Sequence, residues 1–409
     1  EQGATIKLTI NSKIQNFVLA RMDGLSASAV VIDCESGDLL AVGSSPSFDP
    51  NLFVRGISTD DYSGLRNDIF GPLRAKAVQG TYAPASTFKM MTALAALEDG
   101  VLSAEDTFFC PGHFEVSNNR FHCWKRRGHG TMNVADSIIQ SCDVFFYEVG
   151  QKVGIDKISA MARRFGLGEH HNLPLSAVSR GVAPTREWKK KSFGKSWLLG
   201  DTVNASIGQG YVLASPLQLA VMAARLGTGR ALQPRLIQSI NDEQMPLGAG
   251  APLDVDPEHL AIVQKAMFGV SNSKVGTAFS KRIISQDLRM SGKTGTAQVR
   301  RITAEERATG VIRNEDLPWE KRDHALFVDY APHDNPKVAV AVVVEHGGGG
   351  SSVAAPIARD ITLFALTGKM PDLDHYPAGV RKKIRSDQKN LAPKLIDWNS
   401  VSTSGQSKT

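Results

Sequence analysis

The chain has 409 residues, 42% hydrophobic and 22% charged, an ordinary balance for a globular protein but long enough that two packed lobes are expected around the core. No run approaches the ~20 apolar residues of a membrane-spanning helix; the longest, Val338–Val344, is strand-sized. The net charge of +6 and pI near 9.0 gather in Lys189, Lys190 and Lys191 and in Arg381, Lys382, Lys383 and Arg385. With 7% aromatics and no DNA-binding motif, they read as solvated charge and not as a nucleic-acid surface.

Residues 5–22 read as a short strand and then a helix with Ile14, Phe17, Val18 and Met22 on one face. Ala29–Asp33 and Asp38–Gly43 flank the turn Glu35-Ser36-Gly37 as a hairpin, and Pro46–Phe53 breaks regular structure. Helix formers run from Ser86 to Leu97, with Pro84 before them and Gly100 after, and 101–235 reads as mostly helical. A strand follows at Leu288–Val299, then a polar loop over 300–323. Strands His324–Tyr330 and Lys337–Glu345 are joined by Asp334-Asn335-Pro336, and a last helix spans Ser352–Leu366. Beyond Tyr376 the chain is polar and basic and is expected to lack regular structure. There is no internal repeat. The two ends supply strands and the middle supplies helices. The expected fold is therefore α+β: an antiparallel five-stranded sheet with flanking helices (about 1–80 and 236–376), a mainly helical lobe (about 81–235), a cleft between them, and a tail at 377–409.

Ser-x-x-Lys sets an amine beside a hydroxyl on one helix face. It occurs as Ser86/Lys89, Ser192/Lys195, Ser271/Lys274 and Ser386/Lys389. Only the first has a proline-led entry and an apolar helical continuation, where free N–H groups at a helix start suit a developing oxyanion. Lys293-Thr294-Gly295-Thr296 lies on an expected strand. Its cation and hydroxyls suit a carboxylate, and Gly292 and Gly295 let a second backbone approach as an added strand. Ser141-Cys142-Asp143, at a helix–helix junction, offers either a second hydroxyl for proton relay or an ordinary helix cap.

Taken together and in this order, the three motifs resemble those of serine penicillin-interacting enzymes. Pro46-Ser47-Phe48-Asp49-Pro50-Asn51, Gln79-Gly80-Thr81-Tyr82 before the Ser86 motif, Ile207-Gly208-Gln209-Gly210, Ser215-Pro216-Leu217-Gln218 and His346-Gly347-Gly348-Gly349-Gly350-Ser351 extend the resemblance to the penicillin-binding protein 2 family over nearly the whole chain. Asp143, where Asn is commoner in the wider superfamily, fits that branch. The resemblance implies a peptidoglycan D,D-transpeptidase of cell-wall elongation and a target of β-lactams. Ser86 would be the nucleophile and Lys89 its base, with the N–H groups of Ser86 and Thr296 as the oxyanion hole. Lys293, Thr294 and Thr296, spaced by Gly295, would hold the terminal carboxylate, Ser141 would pass the proton, and Asp143 would orient it and bind substrate amide. The family also implies stem peptides as substrate, a SEDS-family glycosyltransferase and an elongation-complex scaffold as partners, and the periplasmic face of the inner membrane as location, through an anchor and pedestal preceding Glu1. No cofactor is needed for the chemistry.

Cys110, Cys123, His129 and Cys142 make a Cys₃His set suited to structural Zn²⁺. A Cys110–Cys123 disulfide, or unpaired thiols, would account for the same residues. His113 and His122 are alternative ligands, and Cys34 reads as core. Two other functions share the nucleophile: a hydrolytic β-lactamase or carboxypeptidase, which lacks support from any Glu-x-x-Leu-Asn element, and a non-catalytic β-lactam sensor, which retention of Ser86, Lys89 and Lys293 disfavours.

Overall fold

The structure, a computed structural model, describes residues 3–116 and 118–396. The chain opens with β1 (Ile6–Leu8) and α1 (Ser12–Met22), which Asn11 caps by accepting from the N–H groups of Lys13 and Ile14. The hairpin β2 (Ala27–Asp33) and β3 (Leu39–Ser45) follows. The middle of the chain holds α2 (Lys89–Glu98), four short strands β4 (Phe108–Cys110), β5 (His113–Val116), β6 (Asn119–His122) and β7 (Gly130–Met132), then α3 (Val134–Ile139), α4 (Asp143–Val153) and α5 (Pro216–Thr228). After β8 (Ile237–Ile240) and α6 (Pro257–Asn272) come β9 (Ser291–Ala297), β10 (His324–Ala331), β11 (Val338–Val344), α7 (Ala355–Thr367) and α8 (Arg381–Leu391).

The main sheet is antiparallel in the order β9-β10-β11-β2-β3, so its strands come from the two ends of the chain, as expected. All seven side chains of β11 (VAVAVVV) are buried. Both α5 and α7 pack against this strand, which requires a helix on each face of the sheet and explains a run with no polar alternation. The α5 helix begins in a capping box, Ser215 accepting from Gln218 N–H and Gln218 Oε1 from Ser215 N–H, with Pro216 in its first turn and Gly229 (φ +66°) past its end.

The opening strand β1 pairs with β8 in a separate small sheet. Three expectations differ from the structure. The stretch 101–235 is not helical throughout: β4 pairs with β7 and β5 with β6, three- and four-residue ladders too short to show a period. Within 300–323 lie a helix at Ala304–Thr309 and two single 3₁₀ turns. The basic segment after Tyr376 forms α8, because Ile384 and Leu391, two turns apart, are buried while its charges face out. Residues 397–409 of that tail lie outside the described residues.

Candidate active site

Ser86 sits on a 3₁₀ turn, Ala85–Phe88, that leads into α2. Side chains three apart eclipse on such a turn, which puts Ser86 and Lys89 on one side. Ala85 holds φ +50°, a conformation costly for a residue with a Cβ, and is pinned there by its N–H bond to Gly208 O at 2.8 Å. Ser86 lines a cleft of about 1620 Å³. Lys89 lies behind it with no exposed surface.

From there the Lys89 amine reaches the α3–α4 junction. It donates to Asp143 Oδ1 at 2.8 Å, Ser141 O at 2.9 Å and Ser141 Oγ at 3.2 Å. Ser141 also has a left-handed backbone, φ +57°. Cys142 is the cap residue of α4, and no side chain caps that helix, so Ser141 and Asp143 are not serving as caps. Lys293 comes to the same hydroxyl from β9, donating to Ser141 Oγ at 2.8 Å and Thr294 O at 3.1 Å. Two amines thus share one hydroxyl and one nearby carboxylate. Burial, then the charge of Lys89, holds the Lys293 amine well below its usual range. Burial likewise raises the Asp143 carboxyl, although Lys89 opposes the effect.

The edge strand β9 presents Thr294, Gly295 and Thr296 to the cleft. Thr294 Oγ1 lies 2.9 Å from Thr277 Oγ1, and Thr296 Oγ1 accepts from Gly350 N–H at 3.3 Å. Gln209 Nε2 donates across the cleft to Thr296 O at 3.2 Å. Gly295 is required by contact: a Cβ there would come within 3.1 Å of Pro84 O and of Thr87 Cγ2, in the turn that carries Ser86. A Cβ on Gly350 would meet Gly295 O at 2.3 Å. The three motifs, 52 and 152 residues apart in sequence at their Ser141 contacts, therefore meet at one place. The other Ser-x-x-Lys pairs do not: Ser192 and Ser386 are exposed, Ser271 is buried, and none lines the cleft.

Thr277 and Trp124 join this site without a motif of their own, and Gln209 joins it from Ile207-Gly208-Gln209-Gly210, to which the sequence alone assigns no role. Trp124 N–H donates to Asp143 Oδ2 at 2.9 Å, and its indole N–H to Ser141 O at 3.0 Å. Those bonds tie the site to the adjoining cysteines. The four donor atoms of Cys110, Cys123, His129 and Cys142 all lie within 4.8 Å of one another, and the cysteines are free thiols, with no Cys110–Cys123 bond. His129 Nδ1 is 3.4 Å from Cys123 Sγ and 3.7 Å from Cys110 Sγ. A tetrahedral zinc with bonds near 2.3 Å sets donors about 3.5–4 Å apart, so the set fits such an ion. Hydrogen bonds among the three thiols draw Cys110 down and push Cys142 up, so they share their protons as one cluster. Asp143 N–H donates to Cys123 Sγ at 3.4 Å. His113 and His122 face each other across the β5–β6 ladder, outside the donor set, and Cys34 is core.

Residues 27–363 match the penicillin binding protein transpeptidase domain. The chain belongs to that family. It is 37% identical over 389 residues to the peptidoglycan D,D-transpeptidase MrdA of Haemophilus influenzae and 38% identical over 386 residues to that of Escherichia coli K12. These alignments cover 93% and 91% of the chain but 59% of each relative, so the chain spans little more than half their length. Among solved structures, Pseudomonas aeruginosa PBP2 in complex with WCK 5153 superposes with a TM-score of 0.80 at 35% identity, covering 93% of this chain and 79% of that one. Helicobacter pylori PBP2 in complex with MreC gives 0.79 at 31%, covering 89% and 64%. The family's fold is the one expected here, and among the described residues no helix is long and apolar enough to cross a membrane.

Proposed function

We propose that this chain is the catalytic part of a peptidoglycan D,D-transpeptidase. The observation that carries the reading is the convergence of Lys89 and Lys293 on Ser141 Oγ directly behind the Ser86 turn. Ser86 Oγ attacks the penultimate D-Ala carbonyl of a stem peptide laid along the free edge of β9. Its proton passes to Lys89, whose amine has to be neutral at the moment of attack, and the N–H groups of Ser86 and Thr296 receive the developing oxyanion. Ser141, between the two amines, returns a proton to the departing D-Ala nitrogen. An amine of a second stem peptide then takes the acyl group from Ser86. Asp143 balances Lys89 and orients the relay.

The terminal carboxylate rests on the hydroxyls of Thr294 and Thr296, with Lys293 beneath. Lys293 does not itself line the cleft, so it contributes charge from below and no direct surface contact. An arriving carboxylate favours its protonated form, and binding then takes up a proton. β-Lactams place their carboxylate at the same threonines and leave an ester on Ser86.

Cys110, Cys123, His129 and Cys142 would hold a structural Zn²⁺, which supplies rigidity and no chemical step. Through Cys123 and Trp124 that loop positions Asp143. The MreC complex of the Helicobacter pylori relative and the similarity to a chain from a peptidoglycan synthase complex favour an elongation scaffold and a SEDS-family glycosyltransferase as partners, at the periplasmic face of the inner membrane. The test is covalent labelling by penicillin, lost in Ser86→Ala. Rapid drug turnover would instead favour a hydrolase.

A further inference from the structure

The cleft continues beyond the Ser86 site into an arm that the mechanism leaves unused. Along it stand His122 on β6, Arg126 in the loop after it, Tyr147 on α4, and Arg301 and Arg307 from the segment following β9. Tyr147 is one helical turn from Asp143 on the same face of α4, so the arm starts where the relay ends. Its charge is mainly positive: Asp323 also lines the cleft, but its two oxygens accept from Val299 N–H at 3.4 Å and from the Asn314 amide at 3.2 Å. Asp143 is taken by Lys89, Glu306 by Arg300 and Glu115 by Arg120. Among the described residues no carboxylate lies within ion-pair distance of Arg126, Arg301 or Arg307, although all three line the cleft. Partial burial first, and then the nearby charge of Arg126, add to the cost of holding Arg307 charged, although Tyr147 and Glu306 oppose this. Cations gathered against their mutual repulsion in a concave, half-dry site mark a place for an anion.

The direction of the arm says which part of a ligand meets it. A peptide pairing antiparallel with β9, its C-terminal carboxylate at Thr294 and Thr296, runs its upstream residues past Gln298 toward Arg301 and Arg307. We infer that Arg126, Arg301 and Arg307 form a carboxylate-reading subsite, so that the donor this chain prefers is a peptide bearing free side-group carboxylates a few residues upstream of its D-Ala-D-Ala end, and not its carboxamide form. This rests on the transpeptidase reading above, and Gln298 and Tyr147 line the same cleft, the Tyr147 hydroxyl donating to His122 O at 3.1 Å. Removing one carboxylate–guanidinium pair is expected to cost about tenfold in selectivity.

The experiment compares two synthetic pentapeptides ending in D-Ala-D-Ala, one with free upstream carboxylates and one with both as carboxamides, by D-Ala release. Benzylpenicillin, with its one carboxylate at the threonine end, serves as the reference acylating agent. Wild type is expected to show kcat/KM at least about tenfold higher for the acidic peptide. Arg126→Gln/Arg307→Gln is expected to remove that preference by lowering only the acidic peptide's value, while penicillin acylation changes less than about twofold. Equal use of the two peptides by wild type overturns the subsite, whatever the variants do. An equal fall for both peptides in the double variant overturns it too. Loss of penicillin acylation by wild type would sink the transpeptidase reading itself, a distinct result.

Discussion

Asp143 accepts from the Lys89 amine through Oδ1 at 2.8 Å and from the Trp124 backbone through Oδ2 at 2.9 Å. One carboxylate therefore joins the Lys89 amine behind Ser86 to the loop that carries Cys123. Burial raises its pKa, and the charge of Lys89 and the Trp124 N–H oppose that rise.

Replacing Asp143 tests that join. Asp143→Ala breaks its buried pair with Lys89 and leaves an orphaned Trp124 N–H, a defect of about 3–5 kcal/mol. Penicillin acylation should fall by at least about 100-fold and the melting temperature should drop. Asp143→Asn keeps an acceptor for one of the two donors and should fall between Asp143→Ala and wild type in both stopped-flow acylation and thermal melts. A neutral Asp143→Ala variant would contradict the role.

The Lys293 amine gives a pH dependence with a definite sign. Burial and Lys89 hold it below its usual range in the free site, while a bound carboxylate raises it. Ligand binding then takes up a proton, and affinity must fall as pH rises through the interval between the free and bound values, by at most about tenfold per pH unit. Pre-acylation affinity for a penicillin should weaken on that slope, whereas a penicillin methyl ester, lacking the anion, should show none. Equal slopes for acid and ester would exclude Lys293 as the cause.

Metal removal tests the cysteine set. One zinc per chain is expected by elemental analysis, and chelation should lower the melting temperature and slow acylation about 10–100-fold as Trp124 and Cys123 release Asp143. Cys110→Ser should act the same way. Unchanged stability after verified metal loss, or no bound metal in protein prepared with zinc, would leave the thiols as packing residues.

Asp329 offers a stability test away from the site. Fully buried on β10, its Oδ1 accepts from Thr362 Oγ1 at 2.8 Å while Oδ2 has no partner, and burial raises its pKa from 3.8 to about 7. The folded state keeps this proton up to about pH 7, where the unfolded chain has already lost it. The contribution, on the order of 4 kcal/mol, is therefore complete below about pH 4 and gone above about pH 7. Asp329→Asn, which removes that slope, should be more stable than wild type near pH 8 by denaturant titration, with an advantage that shrinks as pH falls and is gone below about pH 4. A variant less stable than wild type at the higher pH would contradict the sign.

The residues proposed to carry the chemistry were legible because each sits in a short linear pattern whose spacing has a meaning: Ser86 and Lys89 one turn apart, Ser141 and Asp143 at a junction, Lys293 to Thr296 on a strand. Their supports were not. Trp124 reaches Asp143 over 19 residues, Gln209 reaches Thr296 over 87, and Thr277 meets Thr294 over 17, none through a local period. The same reason hid the ladders of β4 to β7, whose three- and four-residue strands alternate too briefly to register, and α8, whose two buried residues are hidden among lysines and arginines. The sheet was readable because β11 and β2 are long and apolar; the partner of β1 was not, since its three residues are exposed.

The central claim is that Ser86 forms an acyl-enzyme. Intact mass after incubation with benzylpenicillin, wild type beside Ser86→Ala, tests it most directly. A persistent adduct of one drug mass on wild type alone is the predicted result. No adduct on either protein, or the same adduct on both, would contradict the account.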